Sequence, residues 1–116
     1  MITFDYLTLF VAQDTWDACK SWYINHLDLK TAWESEGFVL LRGDRGANLG
    51  LHIGQPLQRP EKVQLHFKVP NVDRKCKRLK RQGVEIHGFP QNTSWGYRVA
   101  ILRDPAGHTV ELFHQI

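Results

Sequence analysis

The sequence predicts an α+β fold of two tandem βαβββ modules, residues 1–54 and 62–116 with a linker at 55–61, forming a curled mixed sheet around a cleft. Three observations predict it. The apolar spacing alternates between a period of two and a period of three to four, in the order strand, helix, strand, strand, strand. That order occurs twice. The two copies also align residue by residue: moving 61 positions along the chain carries Leu40-Leu41-Arg42 onto Ile101-Leu102-Arg103, Gly46 onto Gly107, Leu49 onto Val110 and Leu51 onto Leu112. Agreement of an arginine, a turn glycine and alternating aliphatics in two neighbouring strands indicates an internal duplication.

The elements follow in order. Residues 4–11 are aromatic and β-branched, which suits a strand. Asp14 or Thr15 is the expected cap of the next helix, in which Trp16, Cys19, Tyr23 and Leu27 make one apolar stripe. Asp28 falls where a helix often ends in a left-handed residue. Strands are expected at 29–34, 38–42 and 48–53, with Ser35-Glu36-Gly37 and Gly43-Asp44-Arg45-Gly46 as turns. Pro56 and Pro60 mark the connector as non-sheet. In the second copy, 63–69 is a strand, 72–82 a helix with Gly83 just past its end, and 84–87 a short strand. Strands at 97–103 and 109–113 are joined by Asp104-Pro105-Ala106-Gly107.

A chain of 116 residues holds one compact domain or two fused half-domains. With 42% hydrophobic and 23% charged residues, disorder and coiled coil are excluded as readings. No apolar run approaches the ~20 residues that span a bilayer, so no membrane partner is expected. Met1-Ile2-Thr3-Phe4-Asp5 has none of the parts of a signal peptide, and a cytoplasmic location is the expectation. Cys19 and Cys76 are the only cysteines and both fall at apolar helix positions, which reads as two inert core thiols.

The net charge of +3 is uneven: Arg74 to Arg81 hold six of the fifteen cations, leaving nine against twelve acids, or −3, elsewhere. Val72, Cys76, Leu79 and Gly83 recur through that run at helical spacing, so it reads as the solvated face of an amphipathic helix. Nucleic acid is accordingly not the expected partner, and a polyanion site is the alternative reading of that face.

Strand alternation sorts the side chains into two sets. Leu7, Leu9 and Val11 suit the helix side of the first strand, leaving Tyr6, Thr8 and Phe10 for the cleft. Leu49, Leu51 and Ile53 leave Gly50 and His52. Val63, Leu65, Phe67 and Val69 leave Gln64, His66 and Lys68. Val110 and Leu112 leave Thr109, Glu111 and Phe113. Trp33 and Trp95 are expected near the rims. This aromatic and polar lining suits flat, partly polar molecules held by stacking and a few hydrogen bonds.

Trp95-Gly96-Tyr97-Arg98, followed by Asp104-Pro105-Ala106-Gly107-His108-Thr109-Val110-Glu111-Leu112, is similar to a pattern of the vicinal oxygen chelate superfamily. Trp22-Tyr23 and Leu27-Asp28-Leu29 resemble further family positions, with Asp28 where the family has Gly. That superfamily groups glyoxalases, bleomycin-resistance proteins, extradiol dioxygenases and fosfomycin-resistance enzymes, and the resemblance covers essentially the whole chain. It implies four inward metal-ligand positions, which fall here on Tyr6, Gly50, Gln64 and Glu111. Of these only Glu111 is a strong ligand for a divalent cation. His52 and His66 share the same faces but lie two residues from the family positions, roughly 6–7 Å along a strand. The other histidines, His26, His87, His108 and His114, read as surface or hydrogen-bonded groups.

The resemblance and the lining together lead to a small-molecule binder of the bleomycin-resistance kind, with no metal or other cofactor. The alternative is a metal-dependent lyase, isomerase or thiol transferase, with a divalent metal on Glu111, Gln64, His66 and His52. A metal-free enzyme would use Glu111 or His66 as general base. Relatives of this length pair as homodimers, so a second copy is the expected protein partner.

Overall fold

The computed structural model describes residues 1–116, which divide into two units, Met1–Gln58 and Arg59–Ile116. The first contains β1 (Tyr6–Val11), α1 (Gln13–His26), β2 (Lys30–Ser35), β3 (Phe38–Arg42) and β4 (Asn48–Ile53). The second opens with a single 3₁₀ turn at Pro60–Lys62. It continues through β5 (Gln64–Lys68), α2 (Val72–Arg81), β6 (Gly88–Asn92), β7 (Tyr97–Arg103) and β8 (Thr109–Gln115). Each unit has one four-stranded mixed sheet, in the orders β1-β4-β3-β2 and β5-β8-β7-β6. The first strand of each lies parallel to the last, and the remaining pairs are antiparallel. This is the expected α+β fold of two βαβββ modules, and neither sheet closes into a barrel.

The duplication is visible in the pairing register. Leu41 faces Leu49 and Leu40 faces Gly50 in the first sheet. In the second, Leu102 faces Val110 and Ile101 faces Glu111. Gly46 and Gly107 have φ of 88° and 92°, a left-handed conformation in which glycine carries no Cβ penalty.

Each sheet buries one face under its helix-side residues. In the first unit, Leu9, Val11, Val39, Leu41, Leu49 and Leu51 are buried with Trp16, Cys19 and Tyr23 of α1. Trp16 carries a polar indole N–H into this core, and it donates to the Leu51 carbonyl at 3.0 Å. Leu7, expected on the helix side, is 43% exposed at the start of β1. In the second unit, Ala100, Leu102, Val110 and Leu112 are buried with Val72, Cys76 and Leu79 of α2.

The helix ends show which local signals acted. Ala12, rather than Asp14 or Thr15, is the N-cap of α1. Thr15 instead lies within the first turn, where its hydroxyl donates to the Asp14 carboxylate at 3.0 Å. Asp28 takes φ 59°, the left-handed conformation its position called for. The α2 N-terminus is capped twice: Asn71 Oδ1 accepts from the Arg74 N–H at 3.0 Å, and His114 Nδ1 accepts from the Val72 N–H at 2.9 Å. At its other end Gly83, φ 86°, lets the Val84 N–H reach back to the Leu79 carbonyl at 2.9 Å.

That last bond explains where the strand reading went astray. The expected strand at 84–87 is absent, because Val84 belongs to the helix cap and Ile86 is buried as a packing residue. The strand begins instead at Gly88 and contains Pro90. It is the edge strand of its sheet, where a missing N–H does no harm, and its register slips between Gly88 and Gln91.

Candidate functional site

In the second unit the parallel β5–β8 register sets His66 beside Glu111, and Gln64 beside Thr109. His66 Nδ1 lies 2.6 Å from Glu111 Oε2. The Glu111 side chain is 20% exposed and that of His66 is 50% exposed. A carboxylate only accepts, so with Glu111 ionised Nδ1 is the donor and Nε2 of a neutral ring is left as an acceptor. The hydrogen-bond partner of this acidic group is therefore His66.

This pair borders a cavity of about 330 Å³ lined by His66, Trp95, Tyr97, Val99, Glu111 and Phe113. Alternation puts Tyr97 and Val99 of β7 on the same face as Glu111 and Phe113 of β8, with Val99 directly opposite Phe113. The Tyr97 and Phe113 rings meet edge to face, with centroids 5.6 Å apart and planes at 84°. Trp95 stands on the turn before β7 and is 70% exposed. That turn is held by Thr93, whose hydroxyl accepts from the Tyr97 N–H at 3.1 Å and donates to the Tyr97 carbonyl at 2.9 Å. Tyr97 and Val99 were not foreseen as lining residues. Parity along β7 was the signal that would have found them.

The other residues expected on this face are arranged differently. Gln64 and Lys68 are exposed and do not line the cavity. Thr109 is buried, its hydroxyl donating to the Glu61 carbonyl at 2.7 Å.

The open face of the first sheet is aromatic. Phe38 is central, with ring centroids 6.3 Å from Tyr6, 5.6 Å from Trp33 and 5.9 Å from His52; Phe10 lies 5.3 Å from His52. Tyr6, Phe10 and Trp33 are 45%, 49% and 57% exposed, so the cluster is a surface rather than a core. Glycines make room for it. A Cβ on Gly50 would sit 2.9 Å from Thr8 Oγ1 and 3.1 Å from the Phe38 ring, and one on Gly54 would sit 2.6 Å from the Phe10 ring. Phe38 was not foreseen, and the vacancy at Gly50 is what admits it. His52 is turned to its own strand, with Nδ1 2.7 Å from the Ile53 carbonyl oxygen.

Each unit taken by itself brings few donors for a divalent metal to these positions. In the first unit Gly50 has no donor and the Phe38 ring occupies the space above it. In the second, Glu111 Oε2 is engaged by His66 and the neighbouring Thr109 by a backbone carbonyl. Within neither unit do three His, Cys, Asp or Glu side chains converge. A structural or catalytic divalent site ordinarily needs at least three such ligands.

The rest of the Trp-Gly-x-Arg and Asp-Pro-x-Gly stretch is architectural. Arg98 forks onto Asp73 of α2, with Nε 2.6 Å from Oδ2 and Nη2 2.9 Å from Oδ1, and also donates to Asn92 at 3.0 Å. That guanidinium holds the Asp73 carboxyl below its ordinary range. Asp104 is buried and accepts from the Ala106 and His108 N–H groups, each at 2.9 Å. Its other oxygen lies 2.8 Å from Nδ1 of His108, which is likewise buried. The Asp104–Gly107 turn is thereby fixed where it launches β8.

The family model of the Glyoxalase/Bleomycin resistance protein/Dioxygenase superfamily matches residues 3–112, and the chain belongs to that superfamily. Solved structures of similar fold include a glyoxalase/bleomycin resistance protein/dioxygenase from Nocardioides, 21% identical with a TM-score of 0.82, covering 100% of this chain and 85% of that one. The antibiotic binding protein TnmS3 from Streptomyces sp. CB03234 is 22% identical with a TM-score of 0.78, covering 100% and 98%. A lactoylglutathione lyase from Agrobacterium tumefaciens is 18% identical with a TM-score of 0.76, covering 97% and 93%. No curated protein matches in sequence. The superfamily spans binders and enzymes, so membership fixes the fold and leaves the activity to the site.

Proposed function

We propose that this protein binds a small, partly aromatic molecule reversibly in the cavity beside Glu111, with no catalytic metal. The observation that carries this reading is the cavity's composition: three aromatic side chains and a valine around one carboxylate already hydrogen-bonded to an imidazole. Such walls hold a flat ligand by stacking, and the polar pair fixes its orientation. The antibiotic-binding neighbour supports the reading by showing that the fold serves that purpose. Exposed Trp95 is the reporter. Titration with a panel of aromatic compounds should quench tryptophan emission saturably, and Trp95→Phe should remove most of the quench. Emission that no compound alters in a Trp95-dependent way rejects the reading. A homodimer completes the proposal, and light scattering of the purified protein decides that point.

A second reading rests on the same pair. Glu111 orients His66 so that Nε2 is left as a general base, an arrangement that serves proton abstraction without metal. Mass spectrometry of a bound compound after incubation separates the two. Recovery unchanged supports the binder, whereas conversion that His66→Gln abolishes supports the catalyst.

A further inference from the structure

We infer that the cavity bordered by Glu111 selects a monocationic ammonium compound, a protonated or quaternary amine with apolar substituents, over a neutral molecule of the same shape. The inference rests on the binding reading above and adds the charge of the ligand.

Two features of the cavity act together. The first is the ring set. Tyr97 and Phe113 meet edge to face and both line the cavity, and Trp95 adds an indole that is 70% exposed. The face of each ring carries the negative end of its quadrupole, and indole is the strongest cation acceptor of the three. Several ring faces around one volume are how proteins hold alkylammonium groups.

The second feature is charge. Glu111 is the only acid among the six lining residues, and no Lys or Arg is among them. The pair carries a net charge of −1 when the His66 ring is neutral and zero when it is protonated, so the selection for a cation belongs to the neutral-ring form. Alternation places two cations on that face, Lys68 of β5 and Arg103 of β7, each two residues along its strand from a cross-strand neighbour of Glu111. Neither lines the cavity.

The choice between ligand types follows from desolvation. Glu111 is already four-fifths covered, and any ligand filling the cavity strips more water from it. A neutral ligand offers at most a hydrogen bond in return. An ammonium group replaces the lost hydration with a counter-charge. An anionic ligand meets the same carboxylate with repulsion added.

The test uses choline and its neutral isostere 3,3-dimethylbutan-1-ol, which differ by one atom and one charge. Binding to the full chain is followed by the Trp95 indole N–H resonance, assigned with Trp95→Phe. Choline should bind about tenfold more tightly, within the range of desolvated cation–π and ion-pair contacts. Glu111→Gln, which keeps the shape and removes the charge, should bring the two affinities together. Trp95→Leu, followed by titration calorimetry because the indole reporter is gone, should weaken choline severalfold; its exposure makes it the safer variant should Glu111→Gln fail to fold. Equal affinities for the two probes, or a preference for choline that survives both substitutions, would overturn the inference. Equal binding of both probes would leave the small-molecule reading standing. If neither probe shifts the Trp95 resonance the inference also fails, and the separate aromatic titration then decides the reading beneath it.

Discussion

Asp73 and Glu111 both sit against a nitrogen base, and the two contacts differ in kind. Asp73 meets a guanidinium that is always charged, through two hydrogen bonds in fork geometry. Its carboxyl is therefore held below the ordinary aspartate range, the Arg98 hydrogen bond being the largest cause. A depressed carboxyl contributes stability that is present above its unfolded pKa and lost as the pH falls through its folded one. Asp73→Asn should thus lower the melting temperature at pH 7, and the difference from wild type should shrink as the pH drops below about 4. A difference constant down to pH 2 would show that the pair contributes only as packing. Cys76 shows the opposite shift, since burial pushes its thiol up. Native protein should react with Ellman's reagent far more slowly than unfolded protein, in which Cys19 and Cys76 both titrate. A fast native reaction would mean that α2 opens readily. The core position of Cys76 was legible in the sequence from helical spacing. The partner of Arg98 was not, because residues 73 and 98 belong to different elements that no periodicity relates.

The elements were legible wherever one local signal decided the outcome, and opaque where two neighbours competed. The helix α2 shows the first case. Its apolar stripe and Gly83 delimit it in sequence, and the structure ends it there with φ 86°. A Cβ at Gly83 would meet nothing within 4 Å, so the cost of Gly83→Ala is purely conformational. It should be about 1 kcal/mol in urea unfolding, the penalty for an L-residue in the left-handed region. Gly50→Ala tests a different constraint, because its Cβ would press on Thr8 and Phe38. Overpacking of that kind costs about 1–3 kcal/mol, and it should displace Phe38, visible as shifted aromatic resonances of Trp33 and His52. A neutral Gly50→Ala would mean that the aromatic cluster adjusts freely. The edge strand β6 shows the second case: its proline and slipped register erase alternation, while the cap of α2 consumes the valine that had suggested a strand.

Across the whole chain, duplication supplies the scaffold and divergence supplies the chemistry. The same register position holds Gly50 beside Thr8 in the first unit and Glu111 beside His66 in the second. One copy has no side chain there and the Phe38 ring lies against the space, while the other holds a carboxylate–imidazole pair. The scaffold half of this was readable, because aliphatic alternation survives divergence. The site half was not, because it turns on single residues whose effect depends on what faces them. The core should therefore behave as two equivalent copies. Leu41 and Leu102 are 61 positions apart, both have 0% exposure, and each faces the corresponding residue of the last strand, Leu49 or Val110. Leu41→Ala and Leu102→Ala should each cost about 2–5 kcal/mol in urea unfolding, as truncations of fully buried leucines do. A cost below about 1 kcal/mol for either, against the usual range for buried leucine, would mean that one copy of the repeat had kept the register without keeping the core.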